Sequence, residues 1–327
     1  MAAPLLQRRL AARLLGAALV WGATLTLAGP AQAAATAAAP VLTLRVADQK
    51  GGMRAQLESA GELKNLPYQI QWAEFPAAAP LLEALNAGAV DVGYAGDAPL
   101  IFALAAGAPL KAIGVNQADA YGIAIIANAA SPLAGAASLK GKRIAVARGS
   151  ISHYMTLEAL ASVGLHASDV SFRFLAPVDA KAALSGGAID AWATWEPYTA
   201  LAEVNDKARI VVNGRGLSPG LSYLIANTAA LQAKHAALQD LLQRLARAQR
   251  WANLHVDAYA ATLAGLIGVP QQAARLSWQR RQARWIALDD KVIQTQQHSA
   301  DVYTVAGIIP RKLQVADSFD RSFAAPQ

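Results

Sequence analysis

The sequence predicts an α/β fold made of two lobes joined by two chain crossings, with a ligand cleft between them. Three observations carry this reading. From residue 41 onward short apolar runs alternate with helix-length stretches, a polar connection at 116–121 is followed by a restart of the same rhythm, and a loop at 213–220 with three Gly and a Pro turns the chain back into one more strand before a long helical end. On this division lobe one takes residues 41–120 plus 222–327, and lobe two takes 121–221.

In the first lobe, residues 41–47 read as a strand, 53–63 as a helix, 68–75 as a strand with alternating side chains, 80–87 as a helix, 90–95 as a strand, 99–106 as a helix and 110–115 as a strand. The second lobe repeats the pattern, with strands at 123–127, 143–147, 170–175, 189–195 and 209–212 and helices at 152–163, 179–184 and 197–204. Such alternation favours parallel pairing. After a strand at 222–226, everything from Thr228 reads as helix, with Leu231, Leu238, Leu241, Leu242 and Leu245 recurring at three, four and seven.

The first forty residues assign a compartment. Arg8, Arg9 and Arg13 form a positive region, 14–27 an apolar core, and Ala31-Gln32-Ala33 a small-x-small cleavage site, the pattern of a secretory signal peptide ending at residue 33. No later run is apolar enough to span a bilayer. The chain has no cysteine, which excludes a lipid-anchored form, disulfides, thiolate nucleophiles and Cys metal ligands, so the expected product is free in the periplasm. Cleavage leaves 294 residues (327 less the first 33) and lowers the formal net charge from +7 to +4. That balance mildly favours anionic small molecules and is too diffuse for nucleic acid. The five histidines, His153, His166, His235, His255 and His298, are scattered without ligand spacing, so no metal and no cofactor is expected.

Ligands of open α/β sheets collect beyond the carboxyl ends of the strands, which singles out four loops. In Asp48-Gln49-Lys50-Gly51-Gly52 the paired glycines allow close backbone approach and Gln49 can donate, although a plain turn would use the same residues. In Ala95-Gly96-Asp97-Ala98-Pro99, Asp97 suits an N-cap, because its carboxylate would repel an anion, while the amides around Gly96 and Ala98 face the cleft. Arg148-Gly149-Ser150-Ile151-Ser152-His153 offers two hydroxyls, an imidazole and the positive end of a helix, which together suit an oxyanion. The competing reading makes Ser150 an N-cap and His153 a solvated helix residue. A hydrolase reading fails, since the G-x-S-x-G elbow is missing and Ser152 is adjacent to His153. In the fourth loop Trp192 and Trp195 lie three apart at a strand end, so one packs in the core while the other can wall a pocket; Glu196 caps the helix that Pro197 begins, and Tyr198 follows.

Taken together and in register, segments 73–114, 138–165, 186–198 (GGAIDAWATWEPY) and 280–320 resemble the aliphatic sulfonate-binding proteins of ABC importers, a family with taurine- and nitrate-binding relatives. The resemblance implies a type II periplasmic binding protein: a monomeric, non-catalytic receptor that closes over an organosulfonate anion and delivers it to a membrane permease and its ATPase. It assigns Ser150, Ser152 and His153 to the sulfonate head, Arg280 or Arg281 to its charge, and Trp195 with Tyr198 to the organic tail. Without it, Arg280 and Arg281 would read as exposed helix charges. Glu196 departs from the aspartate commoner before that proline. Aromatic sulfinate desulfinases and a thiamine-pyrimidine synthase resemble the family too but depend on cysteine, which this chain lacks. Nitrate or another small oxyanion is the alternative ligand; the tryptophans and Tyr198 favour one with an organic portion.

Overall fold

A computed structural model describes residues 41–326; the predicted signal segment lies outside the described residues. The first lobe opens with β1 (Thr43–Gln49), α1 (Met53–Ser59), β2 (Gln69–Phe75), α2 (Ala78–Asn86), β3 (Val92–Gly96), α3 (Asp97–Ala105) and β4 (Leu110–Gln117). The second holds β5 (Ala124–Ala127), β6 (Arg143–Val146), α4 (Ile151–Ala161), β7 (Ser171–Phe174), α5 (Pro177–Ser185), β8 (Ala191–Thr194), α6 (Tyr198–Asp206) and β9 (Arg209–Asn213). The chain then returns through β10 (Leu221–Asn227) to α7 (Thr228–Ala233), α8 (His235–Leu254), α9 (Val256–Ile267), α10 (Gln271–Arg281), β11 (Arg284–Ile286) and α11 (Asp290–Val305).

The strands form a six-stranded sheet in the order β11-β4-β10-β3-β1-β2 and a five-stranded sheet in the order β7-β6-β8-β5-β9. Pairing is parallel where strands are joined by helices, as in β1 with β2 and β3, and β6 with β7 and β8. The strands at the crossings correct the all-parallel expectation. β10 runs antiparallel between β3 and β4, and β5 runs antiparallel to β8 and β9. The reason is geometric: a chain that leaves one lobe at the carboxyl end of β4 returns at that same end, so the returning strand must run the opposite way.

A second correction is β11, which interrupts a tail expected to be wholly helical. Three residues, antiparallel to β4 at the sheet edge, are too short to show a period of two. Elsewhere the expected leucine stripe of α8 is the core: Leu238, Leu241, Leu242 and Leu245 are buried against Leu44, Val46, Val92 and Leu224 on one face of the first sheet. Burying that stripe, rather than helix propensity, fixes α8.

The crossings are tied together. The Ala118 amide donates to the Gly220 carbonyl at 2.9 Å, and Arg215 makes a bidentate ion pair with Asp119. Gly220 (φ +64°) is required here, because a Cβ would lie 2.2 Å from the Ala118 oxygen. The lobes also meet on both flanks. α4 sends Tyr154 and Leu157 into the cluster built by α3 and α11, and on the other side α10 packs on α6.

Candidate ligand-binding cleft

The carboxyl ends of β1, β3, β6 and β8 bring the four predicted loops to the junction of the lobes. At the end of β1, Asp48 rather than a cap residue secures α1: its carboxylate accepts from the amides of Gln49, Met53 and Arg54 at 2.8–2.9 Å. Gln49 stands half-buried beside it and reaches the Tyr94 carbonyl at 3.5 Å. At the end of β3 the N-cap is Gly96, and Asp97 is the first helical residue, so its expected capping place moves by one. Asp97 is fully buried; Oδ1 accepts from the Ala98 amide while Oδ2 finds no partner among the described residues. Burial pushes its carboxyl up to about 7 against the opposing amide bonds.

In the loop after β6, Ser150 is the N-cap of α4, its Oγ accepting from the His153 amide at 3.2 Å. The amides of Ile151 and Ser152 then have no partner among the described residues, at the positive end of an eleven-residue helix. Ser152 is buried, and its hydroxyl donates to the Ala193 carbonyl at 3.2 Å and lies 2.9 Å from Ser150 Oγ. With the single Ser152 proton on the Ala193 carbonyl, Ser150 is the donor between the two hydroxyls, so both protons brace the loop and Ser150 can turn to a ligand only by releasing Ser152. His153 also differs from both of its expected roles. It is 1% exposed, enclosed by Phe172, Phe174 and Tyr303, and its Nδ1 accepts from the Gly149 amide at 3.3 Å. Burial, then the charge of Arg148, lowers it to about 4, so the ring is neutral and brings no charge to an anion.

Gly149 meets the first lobe directly. Its φ is +71°, and a Cβ would fall 2.9 Å from the ring of Phe102 on α3, while the Tyr303 hydroxyl of α11 donates to the Ser150 carbonyl at 2.9 Å. We expect Gly149→Ala to lose about 1–3 kcal/mol through the strained backbone and the displaced ring, read as a lower urea midpoint at unchanged slope. A midpoint equal to wild type would mean that this contact does not constrain the loop.

At the end of β8 the two tryptophans divide as their spacing requires: Trp192 is buried in the second-lobe core, and Trp195 is half-buried, edge-on to Tyr198 at 5.7 Å. The N-cap of α6 is Pro197, not Glu196, across a cis bond; Glu196 nonetheless reaches the first turn, accepting from the Ala200 amide at 3.0 Å. Burial pushes its carboxyl up to about 7, with the Ala200 amide and Arg280 opposing and Glu203 adding.

The arginine pair separates. Arg280, 12% exposed, ion-pairs from α10 with Glu203 and, at 3.4 Å, with Glu196, both in the second lobe. Its guanidinium also lies 5.4 Å from the centre of the Tyr121 ring in the crossing. Arg281 is half-buried over Trp278 at 5.7 Å and within hydrogen-bonding reach of the Tyr94 hydroxyl, with no carboxylate at ion-pair distance among the described residues. The Tyr94 hydroxyl in turn donates to Asn116 Oδ1 at 3.3 Å.

Two donors at these strand ends were not anticipated. Asn116 Nδ2 in β4 and Thr194 Oγ1 in β8 are buried and find no partner among the described residues, one from each lobe. The sequence singled out neither: Asn116 was read as the start of the polar connection 116–121, and Thr194 as one residue of the strand 189–195. A buried donor without an acceptor is costly, which makes both ready for a ligand that carries acceptors. Among the described residues no group of three or more His, Asp or Glu could hold a metal ion, and no helix is long and apolar enough to cross a membrane. A separate pocket of about 310 Å³, lined by Gln117, Asp119, Arg215, Ser218, Gln282 and Arg284 among others, contains none of the predicted residues.

Known proteins are similar over most of the chain. The NMT1-like family matches residues 33–268. A protein of Escherichia coli (strain K12) named for aliphatic sulfonate binding is 33% identical over 276 residues, 83% of this chain and 86% of its own. The alkanesulfonate-binding protein SsuA from Xanthomonas axonopodis pv. citri, solved bound to MOPS, superposes with a TM-score of 0.79 at 33% identity, covering 86% of this chain and 98% of that one. The periplasmic aliphatic sulphonate binding protein SsuA from Escherichia coli gives 0.80 at 31%, covering 87% and 92%. The chain therefore belongs to the NMT1-like family and to the family of the aliphatic sulfonate-binding proteins.

Proposed function

We propose that the protein is the periplasmic solute-binding component of an ABC importer for aliphatic sulfonates of the alkanesulfonate and taurine type. It captures the anion by lobe closure, without catalysis, and delivers it to a permease driven by an ATPase. In this reading residues 1–33 are a cleaved export segment, the lobes are 41–120 plus 222–327 and 121–221, and the mature protein works as an untethered monomer.

The observation that carries the reading is the pair of unpartnered buried donors, Asn116 and Thr194, one in each lobe. A sulfonate offers only acceptor oxygens and stays anionic at every physiological pH, so it can satisfy donors from both lobes at once and hold them together. The free amides of α4 and Arg281 add the remaining donors and the charge, with Ser150 beside them, while Trp195 and Tyr198 suit the organic tail. The similarity to proteins named for alkanesulfonate binding supports the same ligand class.

The test is thermal. A ligand that binds only the native state at 100 times its Kd stabilises it by about 2.7 kcal/mol, so methanesulfonate or taurine should raise the melting temperature by several degrees. A rise with nitrate or sulfate and none with any sulfonate would overturn the assignment.

A further inference from the structure

We propose that Glu196 and Glu203 make the cleft selective for monoanions over dianions, by absorbing the charge of Arg280 and leaving Arg281 as a half-buried cation at the lobe junction with no carboxylate at ion-pair distance among the described residues. This rests on the proposed function and specifies its ligand class. The argument is a charge count. Arg280 is held between two second-lobe carboxylates, at 3.4 Å from Glu196 and in a closer pair with Glu203, and its NH1 has no hydrogen-bond acceptor among the described residues. Above about pH 7, where Glu196 is ionised, two acids around one guanidinium cancel its charge, so Arg280 can offer a ligand a hydrogen bond from NH1 but no net positive charge. Arg281, next along the helix, lies beside the Trp278 ring and the Tyr94 hydroxyl and feels Glu196 through space, but has no carboxylate at ion-pair distance among the described residues.

The other basic groups near the junction lie at its rim. Lys50 and Arg148 are exposed, and Arg148 is 3.7 Å from the centre of the Phe174 ring. His153 is neutral. A sulfonate, with one charge, matches a single half-buried guanidinium. Sulfate, of nearly the same shape, carries a second charge that meets the excess carboxylate of the Glu196–Arg280–Glu203 group, and in a partly buried site that repulsion is weakly screened.

The structure thus assigns to these two glutamates a role in rejecting the commonest inorganic analogue. Neutralising one of them should favour any anion, but a dianion twice as strongly in free energy as a monoanion. The quantity that isolates the effect is therefore the ratio of the two affinities. Loss of the lobe-to-lobe pair would shift both affinities together and leave the ratio alone.

The experiment titrates mature protein at pH 8 with methanesulfonate and with sulfate by calorimetry, using competition where binding is weak. Wild type should favour methanesulfonate, and Glu203→Gln and Glu196→Gln should each raise the sulfate-to-methanesulfonate affinity ratio about tenfold, whereas Glu203→Asp and Glu196→Asp, which keep the charge, should stay near the wild-type ratio. Glu203 is the more exposed of the two, so its variants report even where those of Glu196 fold poorly. Sulfonate binding with a ratio unmoved by either Gln variant, or equally moved by the Asp variants, overturns the selectivity and leaves the proposed function standing. Absence of sulfonate binding in wild type overturns both.

Discussion

Arg281→Ala should weaken methanesulfonate binding by about 100-fold and abolish the ligand-induced rise in melting temperature, while the unliganded protein melts close to wild type. The magnitude follows from removing a half-buried guanidinium whose charge no carboxylate meets; truncating one partner of such a desolvated charge pair costs about 2–5 kcal/mol. At a ligand concentration that is 100 times the wild-type Kd, a 100-fold loss reduces the stabilisation from about 2.7 to about 0.4 kcal/mol, below a useful thermal shift. Arg280→Ala should behave differently. It strands Glu196, whose side chain is 6% exposed, beside Glu203 without a cation, so the unliganded protein itself should melt several degrees lower. A pair of melting curves therefore separates the residues before any affinity is measured. If Arg281→Ala keeps the full ligand shift while Arg280→Ala loses it with an unchanged unliganded melting point, the two roles are reversed.

That separation was beyond the reach of the sequence, and the reason is helical geometry. Neighbouring residues on a helix point about 100° apart, so of Arg280 and Arg281 at the end of α10 one can face the second lobe while the other faces the first sheet. Choosing between them needs the position of α6, which supplies Glu203 from a helix surface that reads as ordinary solvated charge. Asn116 and Thr194 were hidden for related reasons: Asn116 read as one polar residue among several in a connection, where the structure extends β4 to Gln117, and a polar residue such as Thr194 within an apolar strand announces nothing until the neighbouring strands show whether it has a partner. What the sequence carries well is local. The alternation of strands and helices, the leucine stripe of α8 and the opposite fates of Trp192 and Trp195 each follow from a period of two or 3.6 acting on a few consecutive residues. β11 and the antiparallel setting of β10 depend instead on where the chain re-enters a sheet, which no local period records.

Asp97 gives the largest expected dependence on pH. A carboxylate in an anion receptor reads as self-defeating from sequence, and its burial resolves the difficulty, because a group pushed up to about 7 holds its proton through the acidic range and repels nothing there. The sign follows from proton counts. Between about pH 3.8, where the unfolded carboxyl ionises, and about 7, the native state keeps a proton the unfolded chain has lost, so stability from this group is full below pH 3.8 and falls by about 1.4 kcal/mol per unit as pH rises through that window. By pH 8 the loss approaches about 4 kcal/mol. Glu196, also raised to about 7, slopes the same way, while His153, lowered to about 4, slopes oppositely as the unfolded imidazole releases its proton. Total stability therefore mixes these groups, and the clean quantity is the difference between wild type and Asp97→Asn, in which the other two cancel. Asn keeps the shape and an oxygen for the Ala98 amide but cannot ionise. Urea denaturation of both proteins from pH 5 to 8 should show the variant gaining on wild type by about 1.4 kcal/mol per unit up to pH 7 and levelling beyond it. A difference that does not change with pH would place the ionised carboxylate in contact with water or a cation, contrary to the burial seen beneath Tyr154, Tyr223 and Tyr303.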